Sequence, residues 1–230
     1  MLPYPKRFFV VGTGRTGTTH LLGILRQHPE ISKAVFEPTQ YGNESVESCF
    51  RRAYGVKEIC KPSTKQFVDQ TLRLPIKVIH TVRVNLLRQA VSMCLARRLD
   101  IWQRDKVPVA EYPKFIEGLG SLPLEDVINE AESLRNFENA MLSRLNNKPH
   151  MTVVYEDFYF GSEEYQKKSI LEMLDFIGVT DPYITPRMID LLRNGRLNNE
   201  EVYRHISNVK EIDNKLSEYG SLLNYHCPVV

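Results

Sequence analysis

The stretch from Arg7 to Gln27, RFFVVGTGRTGTTHLLGILRQ, decides the fold. Phe8, Phe9, Val10 and Val11 form an unbroken apolar run, the pattern of a strand covered on both faces. Gly12 to Thr19 is made of glycines, hydroxyls and one arginine, and Leu21, Leu22, Ile24 and Leu25 then recur at helical spacing. Strand, polar turn and helix in that order form the anion cradle of α/β nucleotide sites. There, N–H groups and the positive end of the helix dipole face the ligand.

Three readings compete for the loop. Gly12, Gly14 and Gly17 satisfy the dinucleotide pattern GxGxxG, and Glu37 lies about twenty residues on, where a carboxylate would meet a ribose. Gly12 and Gly17 also satisfy the outer frame of a Walker loop, but Thr18 stands where its lysine belongs. An NTPase or kinase would lose its main electrostatic element there. In the third reading Arg15-Thr16-Gly17-Thr18-Thr19 is the unit: a fork-shaped cation, three hydroxyls, and a glycine that lets the backbone close on a tetrahedral anion. Dinucleotide loops are usually apolar at these positions, so a terminal phosphate or phosphosulfate is favoured over a bridging pyrophosphate.

Outward from the loop, Pro29 and the HPEI turn lead to a short strand, Lys33 to Glu37, ended by Pro38. Residues 43 to 55 carry a helical pattern, and Val56 to Cys60 reads as a strand stopped by Lys61-Pro62. Ser63 with Gln66 is a capping-box signal for a helix reaching about Leu72. Ile76 to Val82 is a buried strand that delivers Arg83 at its end. The segment after it is helical through Leu86, Leu87, Ala90, Val91, Cys94 and Leu95, with Ser92 about two turns in. Val107 to Leu122 has the composition of a flexible rim or lid. A long polar helix from Leu124 to about Asn146 and a strand from Met151 to Tyr155 come next. A helix capped by Ser162 and stopped by Gly178 follows, and the remainder reads as helical and polar. Four or more strands alternating with helices predict an α/β fold, a mainly parallel sheet flanked by helices in a P-loop-like three-layer sandwich. The 230 residues suit one domain.

Composition narrows the function. With 42% apolar and 25% charged residues, net charge +2 and pI near 8.3, the chain lacks the basic field of a nucleic-acid protein. MLPYPKRFFVVG has no export pattern and no window is long and apolar enough to span a bilayer, so a soluble, cytoplasmic protein is expected. Cys49, Cys60, Cys94 and Cys227 show no metal or pairing spacing and are expected to be reduced and mostly buried. With the histidines scattered as well, no metal is expected.

In a parallel sheet the strand ends carrying Arg15, Glu37, Lys61 and Arg83 share one rim. Three cations and one carboxylate there suit an anionic donor and a general base. These residues also resemble a known family, the sulfotransferases that use 3′-phosphoadenosine 5′-phosphosulfate (PAPS). RTGTTHLL at 15–22 is similar to their 5′-phosphosulfate loop, and VIHTVR at 78–83, continuing to QAVS at 89–92, is similar to their 3′-phosphate site. FEP at 36–38, CKPS at 60–63 and YEDF at 155–158 are lesser matches. Arginine at the head of the loop looks more like the carbohydrate and protein-tyrosine branches, and the layout is similar to the nodulation-factor and trehalose enzymes. The resemblance covers roughly residues 7 to 160. It implies that Gly14, Arg15, Thr16, Gly17, Thr18 and Thr19 hold the 5′-phosphosulfate and that Arg83 and Ser92 bind the 3′-phosphate. It further implies that Glu37 takes the acceptor proton and that Lys61 stabilises the leaving oxygen, with PAP as the product. The spacing from Arg83 to Ser92, one position longer than in the mammalian cytosolic branch, points to a bacterial-type turn or to a shared role for Arg88. The late RKGxxG signature is missing, with only RNGR at 193–196 in its neighbourhood, so which late residue closes over the nucleotide stays open, with Arg196 as the candidate. The expected acceptor is a hydroxyl, leading to a carbohydrate or glycolipid. The alternatives are an NAD(P)-dependent oxidoreductase and a non-catalytic nucleotide-binding protein.

Each residue also has an ordinary reading. Glu37 fits a solvated strand end, Lys61 a surface lysine, Ser92 a packing residue and Arg83 an ion-pair partner. His20 and His80 are alternative bases, and Trp102 and Tyr155 are alternative platforms for adenine.

Overall fold

The computed structural model describes residues 6–41, 44–102, 111–194 and 200–223. The chain divides into two compact units, Met1–Val82 with Phe137–Gly195, and Arg83–Asn136 with Arg196–Val230.

The first unit is built on β1 (Phe8–Gly12), β2 (Ala34–Phe36), β3 (Gly55–Ile59), β4 (Lys77–Val82) and β5 (His150–Val154). Their order across the sheet is β2-β3-β1-β4-β5, and all neighbours are parallel. Every residue of the central β1 is buried. Alternation sends Phe8 and Val10 to one face and Phe9 and Val11 to the other. On the first face they meet Leu21, Leu22 and Leu25 of α1 (Thr18–Leu25), Phe158 of α8 (Tyr155–Phe160), Ile170 and Leu174 of α9 (Glu163–Ile177) and Met188 of α10 (Pro186–Asn194). The second face packs on Cys49 and Phe50 of α3 (Val46–Arg52), Phe67 and Val68 of α4 (Lys65–Leu72), and Met141 and Leu145 near the end of α7 (Leu124–Leu145). Burial of each large apolar side chain contributes roughly 1.5–3 kcal/mol, so a strand covered on both sides gains from apolar residues at every position. The result is the α/β architecture the sequence predicts, with helices on both faces of a parallel sheet. Gly12, Phe36, Ile59 and Val82 all end at the same edge, because parallel strands run in one direction.

Several boundaries differ from the sequence reading. The second strand stops at Phe36, and Glu37 lies beyond it with φ of +45°. A four-residue helix, α2 (Pro38–Tyr41), follows at once. The helical pattern at 43–55 becomes α3 alone, capped where Ser45 Oγ accepts the Ser48 N–H. No Ser63 capping box forms at α4. A 3-10 turn, Pro62–Thr64, precedes it, and the buried Thr64 hydroxyl accepts the Lys61 N–H (3.1 Å) and donates to Ile59 O (2.6 Å). Ser63 faces solvent, so the buried hydroxyl organises this turn. Tyr155 opens α8 rather than closing the last strand.

In the second unit, α5 (Leu86–Leu99) is capped by Asn85, whose Oδ1 accepts the Arg88 N–H at 2.9 Å. Leu87, Val91 and Leu95 of α5 pack with Ile116 of α6 (Tyr112–Leu119) and with Val127, Ala131 and Leu134 from the early turns of α7. Val202 and Tyr203 of α11 (Glu200–Arg204), Ile212 of α12 (Val209–Lys215) and Leu222 complete this core. Much of the stretch read as a rim is therefore the helix α6, with Ile116 fully buried. Residues 107–110 of it lie outside the described residues. The C-terminal segment is likewise more than a polar helical tail: it supplies a large share of a hydrophobic core.

Candidate active site

The anion loop is held by three close approaches. At Gly12 a Cβ would fall 2.3 Å from Thr81 Oγ1 and 2.5 Å from Thr81 O, so β1 and β4 meet there only because the residue is glycine. Arg15 and Gly17 both have left-handed backbones, with φ of 66° and 80°. Gly17 caps α1, and a Cβ on it would fall 2.6 Å from Tyr159 Cε2. The Tyr159 hydroxyl donates to Gly17 O at 3.1 Å. Thr16 is buried, and its hydroxyl donates to Thr13 O (2.8 Å) and lies 2.8 Å from Thr81 Oγ1. That side chain ties the loop to β4, leaving the backbone as its means of meeting a ligand. Thr18 and Thr19 open α1, where helical N–H groups lack intrahelical acceptors and the dipole is positive.

The ends of β2 and β3 bring two further residues to this edge. Cys60 N–H donates to Gly12 O at 2.8 Å, which sets Lys61 one residue from the start of the loop. Glu37 is buried; its N–H donates to Lys57 O at 2.8 Å and its Oε1 accepts from the Lys57 ammonium. Lys57 is fully buried in β3. Burial pushes its ammonium below the usual lysine range, Glu37 and then Glu58 oppose that shift, and Lys61 adds to it. Glu58, also buried, accepts at Oε2 from the Thr39 hydroxyl (2.7 Å) and N–H (3.2 Å), which fastens the start of α2. The ordinary reading of Glu37 as a solvated strand end is thus set aside.

The sequence reading missed Lys57. A lysine flanked by Val56 and, beyond Glu58, Ile59 in a strand ending at the ligand edge was the available signal; alone it also fits a solvent-facing strand position.

Arg83 and Ser92 belong to the second unit, Arg83 directly after Val82 and Ser92 within α5, both buried. Arg88 has a structural task there: Nε donates to Ser221 O (2.9 Å) and Nη2 to Leu222 O (2.8 Å), with Tyr203 against the guanidinium. These bonds give Arg88 a role in holding the C-terminal segment, beside the suggested share in the phosphate. Arg196 lies outside the described residues.

Of the alternative bases, His20 is engaged by neighbours and His80 is sealed in the sheet. His20 Nε2 is 2.9 Å from Leu191 O and Nδ1 is 3.2 Å from the Tyr159 hydroxyl. His80 is fully buried in β4; its Nε2 lies 3.1 Å from Glu138 Oε1 without the alignment of a hydrogen bond. Tyr155 packs against Tyr159 and Phe160, whereas Trp102 is exposed and donates to Asp100 Oδ1 at 3.1 Å. Arg97 and Arg98, near the end of α5, are paired with Glu130 and Asp126. Cys49, Cys60 and Cys94 are free and buried, and burial is the first cause raising each thiol, to about 11 for Cys49 and Cys94. Cys227 lies outside the described residues. Among the described residues no helix is long and apolar enough to cross a membrane.

The dinucleotide reading meets a topological obstacle. β3 lies between β2 and β1, so Glu37 is two strand spacings from the loop-bearing strand, about 10 Å. In the dinucleotide-binding order the ribose carboxylate ends the strand next to the first, and here Glu37 is also engaged by Lys57.

No family profile and no curated protein matches the chain. Similar solved structures include the mouse sulfotransferase SULT7A1 complexed with PAP, 17% identical with a TM-score of 0.48, covering 84% of this chain and 63% of that one. The chain therefore spans less than two thirds of the mouse protein. A sulfotransferase from Alicyclobacillus acidocaldarius is 15% identical with a TM-score of 0.49, over 94% of this chain and 93% of that one. The sulfotransferase domain of the Synechococcus PCC 7002 olefin synthase is 15% identical with a TM-score of 0.43, over 85% of each. These neighbours are all sulfotransferases.

Proposed function

We propose that the chain is a PAPS-dependent sulfotransferase that transfers a sulfuryl group to a hydroxyl, with a carbohydrate or glycolipid as the leading acceptor class. One observation carries this reading: a glycine-closed backbone cradle, Lys61 beside it and the buried carboxylate of Glu37 at the carboxyl ends of three neighbouring parallel strands. The cradle suits the donor, since with glycine at position 17 the loop closes against Tyr159, which a Cβ there would strike.

In this reading Gly14, Arg15 and the N–H groups from Thr16 to Thr19 grip the 5′-phosphosulfate. Arg83 and Ser92 take the 3′-phosphate, and Arg196 makes the late contact. The acceptor hydroxyl attacks sulfur in line while Glu37 takes its proton. The bond from sulfur to the bridging oxygen breaks, and its electron pair stays with the phosphate of PAP beside Lys61. Such a transfer depends on positioning and on fixed charges at the leaving group rather than on a covalent intermediate. No metal has a role in this scheme, and a cytoplasmic setting suits the free thiols.

The test is thermal stabilisation by PAP compared with NAD, followed by transfer from labelled PAPS to a panel of sugars read by mass spectrometry. Stabilisation by PAP and transfer lost in Glu37→Ala are expected. Stabilisation by NAD alone overturns the reading, and PAP binding without transfer to any acceptor or to water leaves a nucleotide-binding protein instead.

A further inference from the structure

We infer that Lys57 is a positioning residue for the transfer, holding Glu37 in its reactive place through the buried ion pair; this rests on the sulfotransferase reading of the site. The pair has features that a purely structural contact does not need. Replacing a buried ion pair by apolar residues of similar volume is often neutral or stabilising, so stability alone is a weak reason for a fully buried lysine in mid-strand. Glu37 also has a left-handed backbone, a conformation costly for a residue with a Cβ that persists where the surroundings enforce it. Lys57 enforces it twice, accepting the Glu37 N–H at its carbonyl and donating its ammonium to Oε1.

The location is equally specific. Lys57 pairs with Val10 of β1 and Phe36 of β2, on the sheet face it shares with Gly55. A Cβ on Gly55 would meet Leu22 of α1 at 2.9 Å, so this is the face that carries the helix of the anion loop. The ammonium thus runs beneath the ligand edge, sealed from solvent, and approaches it through Glu37. Among the described residues no second side chain bonds Glu37, which leaves Oε2 for the acceptor proton while Lys57 keeps Oε1. The other charges acting on the ammonium are Glu58, which is engaged with Thr39, and Lys61. When the proton arrives on Oε2, Lys57 gains and loses nothing; its part is to fix where the carboxylate stands.

A double-mutant cycle on the full chain tests this, with Lys57→Met, Glu37→Gln and the pair combined. The readout is PAP release from PAPS, once with water and once with trehalose as acceptor, and PAP affinity is measured by calorimetry. Misplacement of a reacting group by about 1 Å costs on the order of 100-fold. Lys57→Met is therefore expected to lower kcat by about that factor while KM for PAPS and PAP affinity stay within about two-fold. In the Glu37→Gln background the same change is expected to have no further effect, because Lys57 acts through Glu37. A lysine that only supported the sheet would lower turnover in both backgrounds, and that additive result overturns the inference. Lys57→Leu, which also lacks a donor, replaces Lys57→Met with the same expectation if the latter does not fold. A crystal structure of the Lys57 variant with Glu37 unmoved also overturns it, whatever the turnover. A wild-type chain that neither binds PAP nor releases it from PAPS overturns the sulfotransferase reading itself.

Discussion

Replacing Gly17 with alanine tests the anion loop where its geometry is tightest. The backbone there has φ of 80°, and a Cβ in the left-handed region costs about 1–2 kcal/mol. The new methyl would also fall 2.6 Å from Tyr159 Cε2 and 2.9 Å from the hydroxyl oxygen. Tyr159 has little room to yield: it is 3% exposed, with the Tyr155 and Phe158 rings at 4.6 and 4.9 Å. Overpacking of that kind adds about 1–3 kcal/mol. The expected loss of stability is thus about 2–5 kcal/mol, read by urea unfolding with circular dichroism. In a Tyr159→Ala background the overlap disappears, and the glycine replacement is expected to cost only the backbone part, about 1–2 kcal/mol. PAP affinity is expected to fall in the single variant, since the loop can no longer close on its ligand. A loss below about 0.5 kcal/mol, or the same loss in both backgrounds, would refute the reasoning.

Two further perturbations probe contacts away from the loop. Arg88→Met removes two charged hydrogen bonds to the carbonyls of Ser221 and Leu222. It is expected to destabilise the chain by about 2–4 kcal/mol without weakening PAP binding; weaker PAP binding at unchanged stability would give Arg88 the phosphate role instead. The Glu30 carboxyl is held down from 4.5 to about 2, first by the Lys6 ammonium and against the effect of burial, then by the N–H groups of Thr180 and Asp181. A depressed carboxyl contributes stability that is complete above its unfolded value and is lost as pH falls through the folded one. Urea midpoints are therefore expected to separate wild type from Glu30→Gln at pH 6, and the gap should close between about 4.5 and about 2. A gap that does not narrow on acidification refutes the assignment.

The fold was legible because its signals are local. Phe8 to Val11 read as a strand covered on both faces, since a central parallel strand leaves no side for polar residues. Ser162 and Gly178 bounded α9 because a cap hydroxyl and a left-handed terminus are requirements of the helix end itself. The same local logic failed at Ser63, where exposure decided which of two adjacent hydroxyls would organise the turn. The structural bonds of Arg88 were hidden for a similar reason: its acceptors are carbonyls more than a hundred residues away in the sequence.

For the site, spacing alone was enough to single out Arg15 with its hydroxyl loop, Glu37 and Lys61 as edge residues, because each ends a strand and parallel strands end together. The strand order was not available that way. Nothing in the composition of β2 or β3 says which lies beside β1, and that choice removes Glu37 from the place a ribose-binding carboxylate would hold. The partner of Glu37 was equally out of reach, since whether Lys57 faces water or core depends on what packs over β3. Local pattern determines the elements and their caps, whereas long-range packing decides which charges are sealed from water and paired.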